Sequence, residues 1–154
     1  MGIRNLEQIR AKNALDASKK IGTGSEGGKA VAKKVPALIV QNGFLASLAF
    51  AIESVNGDDF VRDPKDGGYY TYAKAKKDDP YEKCGYANTF VSVMADLRAT
   101  GNDLGICGGS LRESLDKLCG KRADELRRVT TEALAYLNYL RRFASEDESK
   151  KSKS

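Results

Sequence analysis

The chain has 154 residues, with 26 Lys and Arg against 21 Asp and Glu, a net charge of +5 and no histidine. Its length predicts one domain, and 41% hydrophobic with 31% charged residues is typical of a folded globular protein. The absence of histidine excludes Ser-His-Asp and Cys-His nucleophiles and His-ligated zinc sites.

The N-terminal segment predicts a helix over residues 3–20. Basic side chains are mixed there with apolar ones, and the apolar core of a signal peptide is missing. The glycine-rich run at residues 22–28 then predicts a flexible loop. This run matches the GxGxxG pattern, but no strand precedes it, so a nucleotide site is not favoured.

Residues 35–52 are the most apolar part of the chain and predict a helix that is buried on most sides. Pro36 suits the first turn of a helix. Gln41 and Asn42 interrupt the apolar run, which argues against a membrane span. We expect the Asn42-Gly43 pair to lie inside this helix and to let another backbone approach closely.

The middle of the chain is predicted as a loop at residues 56–68, a short helix at residues 69–77 and a longer helix from Asp79-Pro80 to Gly101. The loop carries four aspartates, which are the ligand type that a metal-dependent nuclease uses. A solvated acidic loop is the favoured interpretation, because the four lie close together in one glycine-rich segment rather than on separate rigid elements. They are Asp58, Asp59, Asp63 and Asp66.

Two further helices follow. Ser110 and Glu113 have the spacing of a capping box, and Gly120 is the expected end of that helix. A long apolar stripe from Leu126 to Ala144 predicts the last helix. The sequence therefore predicts an all-α fold, a compact bundle of five to seven helices over residues 1–144, with a polar, disordered tail at residues 145–154.

The three cysteines are Cys84, Cys107 and Cys119. They form no CxxC pair, so a cysteine-ligated zinc site is not predicted. Their odd number also argues against a secreted disulfide framework. We interpret them as three partly buried thiols of a cytoplasmic protein.

The positive charge is concentrated at both ends of the chain. Residues 1–34 carry eight basic and three acidic groups, net +5, and residues 121–154 carry nine and six, net +3, whereas residues 35–68 are net −3. If the first and last helices pack together, their outer faces form a positive surface suited to phosphate backbones, unless it is simply a solvated charged face. Tyr136 and Tyr139 suit either base stacking or packing within the bundle.

Two blocks resemble one known family. Residues 35–50 resemble the "LPxxIxxNGLxxTLAF" segment of the small subunit of the type III-B CRISPR effector, the Cmr complex, and residues 131–144 resemble the closing "TxEALxFLxWLKRFAE" helix of that family. The order and spacing of the blocks also agree. The departures keep size or charge class, and they are Phe44 for Leu, Ser47 for Thr, Tyr139 for Trp and Arg141 for Lys.

The resemblance implies an all-helical RNA-binding subunit with no catalytic activity of its own. We further predict a cytoplasmic protein without metal, cofactor or membrane contact. Its implied partners are guide RNA and target RNA, other copies of itself, and the backbone and large subunits of the effector complex. The candidate RNA-binding residues are Arg4, Arg10, Lys19, Lys20, Lys33, Lys34, Arg128, Arg141 and Arg142. The alternatives are a helical protein–protein adaptor that does not touch RNA and, third, the carboxylate nuclease.

Overall fold

The computed structural model describes residues 5–21, 31–73, 84–100 and 109–152. Within these ranges it contains six α-helices, which confirms the all-α class and the expected number of helices. It also contains one small antiparallel sheet that was not predicted. The elements are α1 (Leu6–Ala17), α2 (Val35–Asn42), α3 (Phe44–Ser54), β1 (Phe60–Asp63), β2 (Tyr69–Tyr72), α4 (Gly85–Thr100), α5 (Leu111–Cys119) and α6 (Ala123–Ser152).

The ends of the helices follow local capping chemistry. Asn5 begins α1 through a capping box, because its side chain accepts from the Gln8 amide nitrogen at 2.8 Å and the Gln8 side chain accepts from the Asn5 nitrogen at 3.0 Å. Ser110 caps α5 in the predicted way, by accepting from the Glu113 nitrogen, and α5 ends at the predicted Gly120. The glycine-rich run and the predicted helix start at Asp79-Pro80 lie outside the described residues.

The apolar stretch predicted as one helix is two helices that meet at Gly43. Pro36 lies in the first turn of α2, as expected, but Gly43 has φ 89° and ψ 161°, which interrupts the helix. Residues other than glycine rarely adopt this backbone conformation. A Cβ atom at Gly43 would meet nothing within 4 Å. The expectation of a close backbone approach was therefore wrong, and the glycine is required by its backbone angles.

We expect Gly43→Ala to lower the free energy of unfolding by about 1–3 kcal/mol, because alanine is strained at this positive φ. The matched control is Gly120→Ala, where φ is −89° and a Cβ would make only an ordinary contact with the Lys117 carbonyl oxygen at 3.6 Å. Urea denaturation of both variants measures the difference. Equal midpoints for the two variants would show that the break at Gly43 is not obligatory.

Residues 60–72 form two strands and not the predicted loop and short helix, so that prediction was wrong. β1 and β2 pair antiparallel, with Phe60 opposite Tyr72 and Asp63 opposite Tyr69. The ring centroids of Phe60 and Tyr72 lie 5.3 Å apart across the two strands. Each strand has only four residues, which is too short for an alternating pattern to be recognised. The sheet is stabilised by aromatic cross-strand pairs and by contacts with the helices.

Helix α4 is the centre of the bundle, and α1, α3, α5, α6 and β2 all pack against it. Phe90 is fully buried and meets the Phe44 ring edge-on, with 5.6 Å between the ring centroids. Buried Asn88 holds the sheet: its Oδ1 accepts from the Tyr70 nitrogen at 2.7 Å and its Nδ2 donates to the Tyr70 oxygen at 2.9 Å. A single amide thus satisfies both backbone groups of Tyr70 and attaches the sheet to the bundle.

The last helix, α6, fully buries Ala133, Leu137 and Leu140 of the predicted apolar stripe, and Leu126 and Leu134 are partly buried against the core. Tyr136 is also fully buried, so it packs within the bundle and is not accessible to a base. The helical backbone continues to Ser152. The division into a domain at residues 1–144 and a disordered tail at residues 145–154 stays a prediction.

Candidate nucleic-acid interface

A groove of about 380 Å³ lies where α1, α4 and α6 meet. We call it the arginine groove, because three guanidinium groups and one carboxylate line it together with apolar and hydroxyl side chains. The lining residues are Leu6, Arg10, Leu97, Thr100, Arg127, Arg128, Thr131 and Glu132. Segments from both ends of the chain contribute to it, together with α4.

Arg10 is held in the wall of the groove by Glu132. Its Nε and Nη2 atoms donate to Glu132 Oε2 and Oε1 at 2.8 and 2.6 Å. The two side chains are 20% and 13% exposed, so this bidentate ion pair is largely desolvated. The hydrogen bond to Glu132 raises the pKa of Arg10. The pair fixes α1 to α6 across 122 positions of sequence.

A second polar contact, between α1 and α4, accompanies this pair. The Asn13 side chain donates from Nδ2 to Asp96 Oδ1 at 3.0 Å, which links α1 to α4. Asp96 is fully buried, and its Oδ2 has no hydrogen-bond partner among the described residues. No sequence pattern indicates that this carboxyl group is buried, because a single acidic residue on an apolar helix resembles a surface position.

Arg127 and Arg128 are exposed on α6 and line the arginine groove. Arg127 also lines a second groove of about 410 Å³ beside the α2–α3 junction, which includes Asn42, Gly43 and Phe44. Arg127 was not among the predicted RNA-binding residues, although its position at the edge of the apolar stripe was a signal that it faces outward. Arg128, which was predicted, lies in the same groove as Arg10.

Arg141 and Arg142 lie further along the exposed side of α6. Arg128, Thr131, Asn138 and Arg142 recur at helical spacing and are all exposed, so they form one polar face. The 14 positions between Arg128 and Arg142 correspond to roughly 21 Å along the helix. Arg141 donates from Nη2 to Asn138 Oδ1 at 3.2 Å, which orients it along this face.

Four of the remaining predicted basic residues follow α1 or precede α2. Lys19 is exposed and Lys20 half-buried just after α1, and Lys33 and Lys34 are exposed in the turn before α2. None of the four lines either groove. Arg4 lies outside the described residues. Tyr139, the second candidate for stacking, donates its hydroxyl hydrogen to Glu7 of α1.

The acidic segment shows no metal-binding arrangement in its described part. Asp58, Asp59 and Asp63 are exposed, and Asp63 accepts from the Lys65 backbone nitrogen at 3.0 Å. No group of three metal-ligating side chains occurs among the described residues. Of the cysteines, Cys84 is buried and Cys119 exposed, so the expectation of partial burial was wrong for Cys119, and Cys107 lies outside the described ranges.

In the described part of the chain, no helix is both long enough and apolar enough to cross a membrane. A search of curated proteins finds no match to the chain. The family model described as CRISPR-associated protein (Cas_Cmr5) matches residues 6–146, which run from α1 into the C-terminal part of α6. The chain therefore belongs to the Cas_Cmr5 family, the small-subunit family of the type III-B CRISPR Cmr complex.

Proposed function

We propose that this Cmr subunit is a non-catalytic RNA-binding protein that contacts RNA phosphates through the arginine groove and the exposed face of α6. The observation that carries the proposal is the charge of the groove, where Arg10, Arg127 and Arg128 outnumber the single carboxylate of Glu132. Guanidinium groups form bidentate hydrogen bonds with phosphate oxygens. Phosphate contacts are independent of base sequence, as a subunit that accepts any guide and target pair requires.

The basic residues have different roles in this proposal. Arg127 and Arg128 contact phosphates in the groove, and Arg141 and Arg142 contact the same strand further along α6. Arg10 shapes the groove wall, because Glu132 occupies its guanidinium hydrogen bonds. Lys19, Lys20, Lys33, Lys34 and Arg4 contribute charge around this surface, which raises the local concentration of RNA.

The proposed partners are guide RNA and target RNA, further copies of this chain, and the backbone and large subunits of the effector complex. Membership of the Cas_Cmr5 family supports the protein partners. In this proposal the complex acts in the cytoplasm and other subunits carry out cleavage. Several copies of the small subunit placed side by side would bind one RNA through many weak phosphate contacts, which raises the overall affinity.

A second candidate is an adaptor that binds only neighbouring proteins. One observation favours it: residues 35–52 contain no charged residue, yet several of their side chains are exposed. Val40 is 72% exposed and Phe50 is 45% exposed. Surfaces depleted in charge and carrying exposed apolar groups are typical of the centres of protein–protein interfaces.

The salt dependence of RNA binding distinguishes the two candidates. We expect the affinity of the full chain for a single-stranded RNA of mixed sequence to fall steeply with salt, with a slope of roughly −0.7 per phosphate contact in a plot of log K against log salt. Fluorescence anisotropy over a salt series measures this slope. A second RNA of unrelated sequence should give the same slope. Absence of salt-dependent binding, both alone and in the assembled complex, would favour the adaptor.

A further inference from the structure

A cluster of polar side chains joins α1, α4 and α6 beside the arginine groove. Asp96 of α4 lies within hydrogen-bonding reach of Glu132, while Arg10 donates to both oxygens of Glu132. The carboxyl groups of Asp96 and Glu132 therefore lie close together, and Arg10 is paired with Glu132. We propose that Asp96 is protonated in the folded chain and donates a hydrogen bond to Glu132, which makes this junction a proton-dependent clasp between three helices.

The geometry places this proton on Oδ2 of Asp96. Asp96 Oδ1 accepts from Asn13, but Oδ2 is buried without a donor among the described residues. An ionised Asp96 would leave that oxygen desolvated beside a second carboxylate, an arrangement that is costly in a protein interior. A proton on Asp96 makes its carboxyl group a donor, and Glu132 is the acceptor within reach.

The groups that act on Asp96 come from two neighbouring helices. From α1 these are Arg10, whose charge favours the ionised form, and the uncharged Asn13, which donates to it. From α6 these are Glu132, which favours the protonated form, and the buried hydroxyl of Tyr136. The sheet and α3 contact α4 through Asn88, Tyr86 and Phe90 instead.

Together these groups favour the protonated form. Burial is the largest cause that raises the pKa of Asp96 to about 8, and the hydrogen bond with Glu132 acts in the same direction. Asn13 and Arg10 lower the pKa by smaller amounts. In the unfolded chain an aspartate has a pKa near 3.9. Over the interval between these values, the folded chain therefore holds a proton that the unfolded chain releases.

The consequence for stability has a definite sign. Because folding raises the pKa of Asp96, proton binding at Asp96 contributes to the stability of the folded chain. This contribution is fully present below about pH 4 and is lost as the pH rises to about 8. Within that window the ratio of folded to unfolded chain attributable to Asp96 falls by up to tenfold per pH unit. Above it, the contribution no longer changes.

A direct titration of the aspartate carboxyl groups tests whether Asp96 holds this proton. Full-length chain labelled with carbon-13 is titrated from pH 5 to pH 10, and the aspartate carboxyl resonances are followed by NMR. We expect one of them, assigned to Asp96 through the backbone, to titrate between about pH 7 and pH 9. The proposal is overturned if Asp96 titrates with the exposed aspartates below pH 6.

The variant Asp96→Asn provides a second test, because an asparagine amide reproduces the protonated carboxyl group: its oxygen accepts from Asn13 and its nitrogen donates to Glu132. We expect the denaturation midpoint of D96N, relative to wild type, to rise as the pH increases from 5 to 9. Asp116→Asn, an exposed aspartate on α5, is the control and should show no such trend. A constant difference between D96N and wild type across this range would overturn the proposal. Should D96N not fold, the NMR titration of the wild-type chain decides.

Discussion

Replacing Glu132 by alanine is expected to lower the free energy of unfolding by about 3 kcal/mol. The change removes both hydrogen bonds to Arg10 and leaves a guanidinium group that is only 20% exposed without its carboxylate. It also removes the acceptor beside Asp96. An uncompensated charge in a desolvated position costs far more than the loss of an exposed ion pair. Urea denaturation followed by circular dichroism measures the change.

The control for this prediction is the pair formed by Lys12 and Asp16 on α1. Its two side chains are 55% and 56% exposed, and the Asp16→Ala change should cost less than about 0.5 kcal/mol. Replacing Arg10 and Glu132 together by methionine should restore much of the stability that Glu132→Ala loses, because no charge is then left unpaired. A loss below about 1 kcal/mol for Glu132→Ala would show that solvent screens the pair.

Reversing the charge of Arg127 and Arg128 together is expected to weaken RNA binding at least about tenfold at low salt, while the chain stays folded. Two phosphate contacts are lost and two repulsive carboxylates enter the groove, so the salt slope should decrease in magnitude by roughly 1.4. Both side chains are exposed, and neither belongs to the buried core. The experiment compares Arg127→Glu/Arg128→Glu with wild type in the assembled complex by anisotropy with labelled RNA.

A matched charge change elsewhere separates a local contact from a general effect of net charge. Lys65→Glu with Lys117→Glu alters the net charge by the same amount, and neither residue lines a groove. We expect this variant to bind RNA almost as wild type does. If the groove variant also binds normally while Arg141→Glu/Arg142→Glu weakens binding, the RNA contacts lie on the C-terminal half of α6 instead of in the groove.

The prediction from sequence succeeded where local rules decide the structure. Ser110 and Gly120 delimit α5 because a cap and a helix-ending glycine act within a few residues. The buried face of α6 could be predicted because apolar residues at helical spacing mark the side of a helix that packs against the core. It failed at Gly43, where one residue's φ breaks an otherwise continuous apolar helix, and at β1 and β2, which depend on a hydrogen-bonded attachment to Asn88 on α4.

By itself, the sequence determined the helical class, the absence of histidine chemistry, the basic ends of the chain and the two blocks that resemble the Cmr small subunits. Only the tertiary structure decided which basic side chains share a surface. Arg10 and Glu132 are 122 positions apart, and no local pattern predicts that they pair or that Arg127 and Arg128 lie beside them. The physical reason is that desolvation and pairing depend on which helix faces meet: packing sets the charge of the groove and leaves Asp96 buried beside Glu132.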